Sequence, residues 1–317
     1  MKSKEKLLVI IGPTAVGKTK LSIELAKKFN GEIISGDSMQ IYKGMDIGTA
    51  KIKKEEMEGI THHLIDIKQP EEPFSVAEFQ EMVREKISDI TIRGKLPMIV
   101  GGTGLYIQSV INDYHFSDAP SDIQFRETLE KRAREEGNER LYQELMEVDP
   151  NSAEKIHPNN TRRVIRALEI FHCTGKTMKE YQKQQSPDLL YDVALIGLTM
   201  EREQLYERIN QRVDQMITEG LIDEVKQLYD QGLRECQSIQ AIGYKELYEY
   251  FDQRISLENA IDHLKQNSRR YAKRQMTWFR NKMDVKWFKM DNITDSFMLG
   301  KKIEEISDYI EGKLGNK

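Results

Sequence analysis

Residues Gly12-Pro13-Thr14-Ala15-Val16-Gly17-Lys18-Thr19 fit the spacing G-x-x-x-x-G-K-[ST], that of a loop wrapped around phosphate groups. Glycines permit positive φ and close backbone approach, so consecutive N–H groups can point inward at phosphate oxygens. Lys18 adds a point charge, and the Thr19 hydroxyl suits a Mg²⁺ ligand. A chance glycine-rich turn is the competing reading, and the flanks argue against it. The apolar run Leu7-Leu8-Val9-Ile10-Ile11 precedes the loop, and Leu21, Ile23, Leu25 and Ala26 follow at helical spacing. Alone, the loop leaves open which phosphate compound it holds.

Two further segments belong to the same rim if the sheet is parallel, because strand carboxyl ends and the phosphate loop then share one edge. One is Asp37-Ser38-Met39-Gln40, after the run Glu32-Ile33-Ile34-Ser35-Gly36. A carboxylate at Asp37 can coordinate Mg²⁺ or take a proton from an attacking nucleophile; a helix N-cap or turn aspartate is the structural alternative. The other is Gly101-Gly102-Thr103-Gly104, where three glycines around one threonine let backbone approach a ligand closely. An Mg²⁺-linked Asp, common at this place in nucleotide hydrolases, is missing, as is an Asn-Lys-x-Asp guanine-reading motif. Signalling by GTP hydrolysis is therefore disfavoured. Adjacent His62 and His63 would point to opposite faces of a strand, so a shared metal ion is not expected.

Two basic clusters remain. Arg162, Arg163 and Arg166 open a helical segment, with Arg162 and Arg166 on one face. Between residues 265 and 289 nine Lys/Arg stand against Asp284 alone, interleaved with Tyr271, Trp278, Phe279, Trp287 and Phe288. Arg270, Lys273 and Arg274 form a candidate phosphate-binding stripe, whose aromatic neighbours either pack inward or stack bases. A solvated basic helix face is the alternative.

These residues need a scaffold. Apolar strand candidates at 6–12, 32–36, 63–67, 97–101, 193–199 and, more weakly, 284–290 alternate with helical patterns, which reads as an α/β fold. The expected architecture is a P-loop NTPase-like core, its mostly parallel sheet flanked by helices. Ser75-Val76-Ala77-Glu78 has the spacing of a capping box. Between about 116 and 190 strand character vanishes, and mixed-charge helical segments are punctuated by Pro120, Pro150, Pro158 and Pro187. The expected organisation is a discontinuous core of residues 1–115 and 191–317, carrying an all-α insertion of residues 116–190.

The chain of 317 residues balances 48 Lys+Arg against 52 Asp+Glu, so any nucleic-acid surface must come from local clustering. No apolar run reaches the length of a membrane span, and the N-terminus leaves no room for a signal peptide. Cys173 and Cys236 lack C-x-x-C partners. A cytoplasmic protein is expected.

Together, residues 12–19, 37–42, 62–66, 100–107, 162–169, 241–246 and 268–280 resemble the tRNA dimethylallyltransferase (isopentenyltransferase) family, in family order across nearly the whole chain. Asp-Ser-Met-Gln-Ile-Tyr, Gly-Gly-Thr-Gly-Leu-Tyr and Arg-Tyr-Ala-Lys-Arg-Gln are the specific stretches. Eukaryotic relatives add a C-terminal zinc finger; this sequence ends at Lys317 without one and is similar to the bacterial form. The resemblance implies transfer of a dimethylallyl group from dimethylallyl diphosphate to the N6 amine of the adenosine 3′ of the anticodon, in tRNAs reading codons that begin with U. It implies Asp37 as general base, Thr103 beside the reacting base and Arg212 on the diphosphate. Residues 12–19 would grip that diphosphate through the amides of 14–19, Lys18 and a Thr19-bound Mg²⁺. The tRNA anticodon stem-loop would be held by Asp37, Ser38, Met39, Gln40, Thr103, Arg162, Arg163, Arg166, Arg270, Lys273, Arg274 and Arg280, with the insertion closing over it. A monomer is expected. The rival readings are a P-loop small-molecule kinase using ATP and an RNA-binding ATPase.

Overall fold

The structure, a computed structural model, describes residues 4–114, 122–183, 188–293 and 295–315. Pro120, Pro187, the expected boundary at 116 and the chain ends at Met1 and Lys317 lie outside the described residues. Contacts divide the chain into two compact units, Met1–Ile111 with Leu189–Lys317, and Asn112–Asp188.

The first unit is built on six strands: β1 (Lys6–Ile11), β2 (Gly31–Gly36), β3 (His62–His63), β4 (Leu96–Gly101), β5 (Asp192–Thr199) and β6 (Lys286–Lys289). Their order is β3-β2-β4-β1-β5-β6, and every pairing is parallel. β1 reads as an unbroken apolar run because both sheet faces are covered. Leu7, Val9 and Ile11 enter one core and Leu8 and Ile10 the other.

The helices of this unit are α1 (Lys18–Lys28), α2 (Val76–Ile92) and α3 (Gly104–Ile111), then α9 (Arg202–Thr218), α10 (Leu221–Asp230), α11 (Tyr244–Phe251), α12 (Leu257–Lys282) and α13 (Ser296–Leu314). Phe79, Val83 and Ile87 of α2 and Ile107 of α3 join the first core. Leu21 and Leu25 of α1, with Ile306 and Ile310 of α13, join the second. At α2, Ser75 Oγ accepts from Glu78 N at 3.1 Å. The Glu78 carboxylate, however, pairs with Lys68 at 2.7 Å, so only half of the capping box forms.

The strand expected at 63–67 shrinks to His62–His63. Leu64 (φ 60°) and Asp66 (φ 55°) adopt left-handed backbone, which no strand tolerates. The apolar run that suggested a strand belongs instead to a turn with buried Leu64 as its anchor.

The second unit is helical: α4 (Ile123–Glu136), α5 (Asn138–Val148), α6 (Pro150–Ala153), α7 (Thr161–Thr174) and α8 (Met178–Lys183). Leu129, Leu141, Leu145, Val164 and Leu168 form its own core. Asp122 caps α4 through Phe125 N at 2.9 Å, and Asp149 caps α6 through Ser152 N at 3.0 Å. Among the described residues, no helix is long and apolar enough to cross a membrane.

Candidate active site

β1 sits where the strand order reverses, with β4 on one side and β5 on the other, and the loop of residues 12–17 leaves its carboxyl end. Such a switch point opens a crevice above the strands. Here it is a cavity of about 640 Å³, and its lining includes Lys18, Thr19, Asp37, Arg212, Tyr271 and Gln275.

Lys18 opens α1 and folds back over the loop, its Nζ donating to the carbonyls of Gly12 (2.9 Å) and Pro13 (2.7 Å). Burial and, after it, the Arg212 charge push its ammonium down to about 7, with Asp37 opposing both. Arg212, from α9, donates through NH1 to Thr14 Oγ1 at 3.2 Å. Burial lowers this guanidinium as well, with Asp37 pulling the other way. Two partly desolvated cations and one carboxylate thus line the same cavity, an arrangement that favours entry of an anion.

Not every loop amide is free for that anion. Thr14 N–H donates to Gln275 Oε1 of α12 at 3.2 Å, leaving residues 15–19 to form the cradle. The same carboxamide donates through Nε2 to Gly102 O at 3.1 Å. Gln275 therefore ties the phosphate loop to the turn after β4. A Cβ on Gly102 would fall 2.1 Å from that Nε2, so only glycine admits the contact undisturbed.

Asp37 follows β2 and shapes its own turn, Oδ1 accepting from Met39 N at 2.8 Å. Among the described residues its Oδ2 carries no hydrogen bond, so the turn and the proton-accepting readings are compatible. Ser38, Met39 and Gln40 line the cavity beside it. Thr103 lies next to this loop, its N–H reaching Gly36 O at 3.4 Å. Thr103 Oγ1 is buried with no partner of good hydrogen-bond geometry, although the Tyr271 phenol is near enough to interact. Burial pushes Tyr271 up to about 12, helped by the Asp37 charge, so the phenol stays protonated at neutral pH.

The two histidines diverge. His62 lines the cavity, and its Nδ1 lies 2.9 Å from Ile60 O. His63 Nε2 lies 2.7 Å from Glu32 Oε2, in a cluster with Arg93 and Lys95. Among the described residues no group of three or more His, Cys, Asp or Glu gathers as a metal site would require.

Helix α12 separates its residues by face. Ala260, Leu264, Ala272, Gln275 and Phe279 are buried, whereas Arg270, Lys273, Arg274 and Arg280 are exposed. Arg274 reaches the cavity and lies over the Tyr271 ring at 5.7 Å. Phe279 is wholly buried, and Trp278 lies against Gly104, so these two aromatics pack inward. Arg280 lies over Trp287 at 5.9 Å. In the helical unit Arg162 and Arg163 are exposed, but Arg166 is committed to a pair. Its NH1 lies 2.7 Å from Glu169 Oε2, and Glu169 is fully buried and shared with Arg126.

The stretch 241–246 is mainly architectural. Gly243 N donates to Glu246 Oε2 at 2.7 Å, and Asn267 secures the other oxygen at 2.7 Å. Lys245 of this stretch also lines the cavity. Gln275 and Tyr271 escaped sequence reasoning as site residues. The available signal for Gln275 was a polar residue spaced from Ala272 and Phe279 as a member of the buried face.

A family model described as IPP transferase matches residues 40–282. The tRNA dimethylallyltransferases of Anoxybacillus flavithermus and Geobacillus thermodenitrificans are 68% and 66% identical to this chain over 310 residues. Each alignment covers 98% of this chain, and 97% and 98% of the respective relative. Among solved structures, the full-length tRNA isopentenylpyrophosphate transferase of Bacillus halodurans is similar at 56% identity and a TM-score of 0.74, covering 98% of both chains. A eukaryotic dimethylallyltransferase acting on tRNA superposes with a TM-score of 0.82 at 34% identity, covering 98% of this chain and 80% of that one.

Proposed function

The chain belongs to the IPP transferase family, and on that premise we propose how its cavity moves a dimethylallyl group onto tRNA. The donor is dimethylallyl diphosphate. The acceptor is the N6 amine of the adenosine immediately 3′ of the anticodon, in tRNAs reading codons that begin with U. The observation that carries this reading is the pair of half-buried cations, Lys18 and Arg212, lining one cavity together with the Asp37 carboxylate.

Diphosphate is the leaving group. As the allylic C–O bond breaks, its electron pair passes to the ester oxygen of the departing diphosphate, and Lys18, Arg212 and the amides of residues 15–19 stabilise that charge. An adenine amine is a poor nucleophile, because its lone pair is delocalised into the ring. It sheds a proton as the C–N bond forms, and Asp37 Oδ2 accepts that proton. The Thr103 hydroxyl, buried beside the Tyr271 phenol, supports the reading as a hydrogen-bond partner for the incoming amine. The Thr19 hydroxyl, exposed at the first turn of α1, is a hard oxygen donor that fits Mg²⁺ together with diphosphate and water. Bound there with the diphosphate, the ion would supply charge neutralisation.

The target base leaves its stack to reach this cavity, at a cost of a few kcal/mol. The exposed cations of α12, with Arg162 and Arg163 on the helical unit, repay that cost through phosphate contacts. The tRNA substrate supports a cytoplasmic protein. The test supplies labelled dimethylallyl diphosphate and undermodified tRNA. Label on the RNA is expected; ATP consumption with a small acceptor, and no labelled RNA, would point to a kinase.

A further inference from the structure

Residues 46–50 form one wall of the cavity, with Gly48, Thr49 and Ala50 in its lining. Three consecutive N–H groups of this loop converge on a single carboxylate from α10. Asp46 N and Ile47 N donate to Glu224 Oε2 at 2.8 and 2.7 Å, and Gly48 N donates to Oε1 at 3.0 Å. A fourth donor, the hydroxyl of Tyr244 from α11, reaches Oε1 at 2.5 Å. Bonds to an ionised acceptor are roughly twice as strong as neutral ones, so this clamp is firm for so short a segment. The loop is also pressed onto the phenol: a Cβ on Gly48 would sit 2.5 Å from Tyr244 Cε2.

On its other side the loop meets the Asp37 turn. Gln40 Nε2 donates to the carbonyls of Thr49 (3.3 Å) and Ala50 (3.4 Å), while Gln40 Oε1 accepts from Ser35 Oγ at 3.0 Å. A continuous series of bonds therefore runs from α10 through the wall loop to the segment that carries Asp37.

We propose that Glu224 and Tyr244 are positioning residues for the transfer reaction, fixing the wall loop and through Gln40 the orientation of the Asp37 turn. Neither touches substrate. The proposal rests on the transferase reading and deepens it, placing the control of acceptor geometry on α10 and α11.

The test uses the full chain with Glu224→Gln, which sets an amide NH₂ against backbone donors, and Tyr244→Phe, which leaves the carboxylate on its three N–H groups. In Glu224→Gln, hydrogen exchange at Asp46, Ile47 and Gly48 should quicken by about tenfold or more. Turnover should fall about ten- to a hundredfold, as misplacement of a reacting group does. Inorganic diphosphate affinity without tRNA should stay within about twofold, because residues 12–19 lie outside the clamp. Tyr244→Phe should lose less than about tenfold in turnover, since the charged acceptor remains. Unchanged exchange or unchanged turnover in Glu224→Gln would overturn the proposal. Parallel loss of diphosphate binding and turnover would also overturn it, by exposing a general structural defect. If the wild-type chain labels no tRNA, the transferase reading fails separately, and exchange alone decides the clamp.

Discussion

Gly102→Ala isolates the link between the phosphate loop and the turn after β4. The new Cβ would lie 2.1 Å from Gln275 Nε2 and 3.2 Å from its Cδ, against about 3.5 Å for relaxed contact. The carboxamide must swing away, and its bonds to Thr14 N–H and Gly102 O break together. Each neutral bond contributes about 1 kcal/mol, and a buried acceptor left unpaired costs a further 1–3 kcal/mol or so. Thr14 N–H faces the cavity and regains water, so only the Gly102 carbonyl incurs that penalty. The expected loss is about 3–5 kcal/mol. Gln275→Ala removes the same bonds, and once the carboxamide is gone the added methyl of Gly102→Ala has nothing to displace. The double variant should therefore resemble Gln275→Ala, with a coupling of about 2 kcal/mol or more. Urea denaturation of the four proteins at equal m-values measures it. Single effects that add to within about 0.5 kcal/mol would refute the reasoning.

Four other outcomes follow. Asp37→Ala should keep tRNA affinity within a few-fold and lose turnover by orders of magnitude; near-normal single-turnover transfer would remove Asp37 as the base. Replacing Arg270 and Arg274 by Ala should weaken tRNA binding and flatten its salt dependence, read from affinities across a salt series. Arg166→Ala should lower the stability of the helical unit, whereas Arg162→Ala should change only the salt slope, because Arg166 alone of the two pairs with buried Glu169. Arg93, then Lys95 and His63, hold the Glu32 carboxyl far below its ordinary 4.5. A depressed folded-state pKa stabilises above the unfolded value, and the benefit fades as pH falls below it. The stability gap between wild type and Arg93→Ala should thus be largest near neutral pH and narrow below about pH 4.5, as pH-dependent melting would show.

Much of the site was legible because it is local. Loop spacing, the apolar run before it and the Ser75 cap are written within a few consecutive residues, and the fold uses them as such. The strand at 63–67 misled for the opposite reason: its apolar content marks the buried Leu64, but left-handed backbone at Leu64 and Asp66 cannot be read from residue type. Arg166 looked like a free cation because Glu169, three residues on, gives no sign in sequence of being buried. Gln275 and Glu224 were illegible as organisers. Their partners Thr14 and Ile47 lie 261 and 177 residues away, and only the packed sheet and helices bring them within reach.

Strand order also dictates a timetable. Leu8 in central β1 has Met98 opposite on one side and Ala194 on the other, and the helical unit lies between those partners in the chain. During synthesis β1, β2 and β4 can pair early, but one flank of β1 stays bare until β5 emerges. Helices α4 to α8 find their partners close by in sequence and can assemble in that interval, since local contacts form fastest. The growing chain then carries a half-built sheet with an open apolar strand while the insertion is made. That interval is when the nascent protein is most exposed to association, and closing it with β5 also completes the crevice beside Gly12.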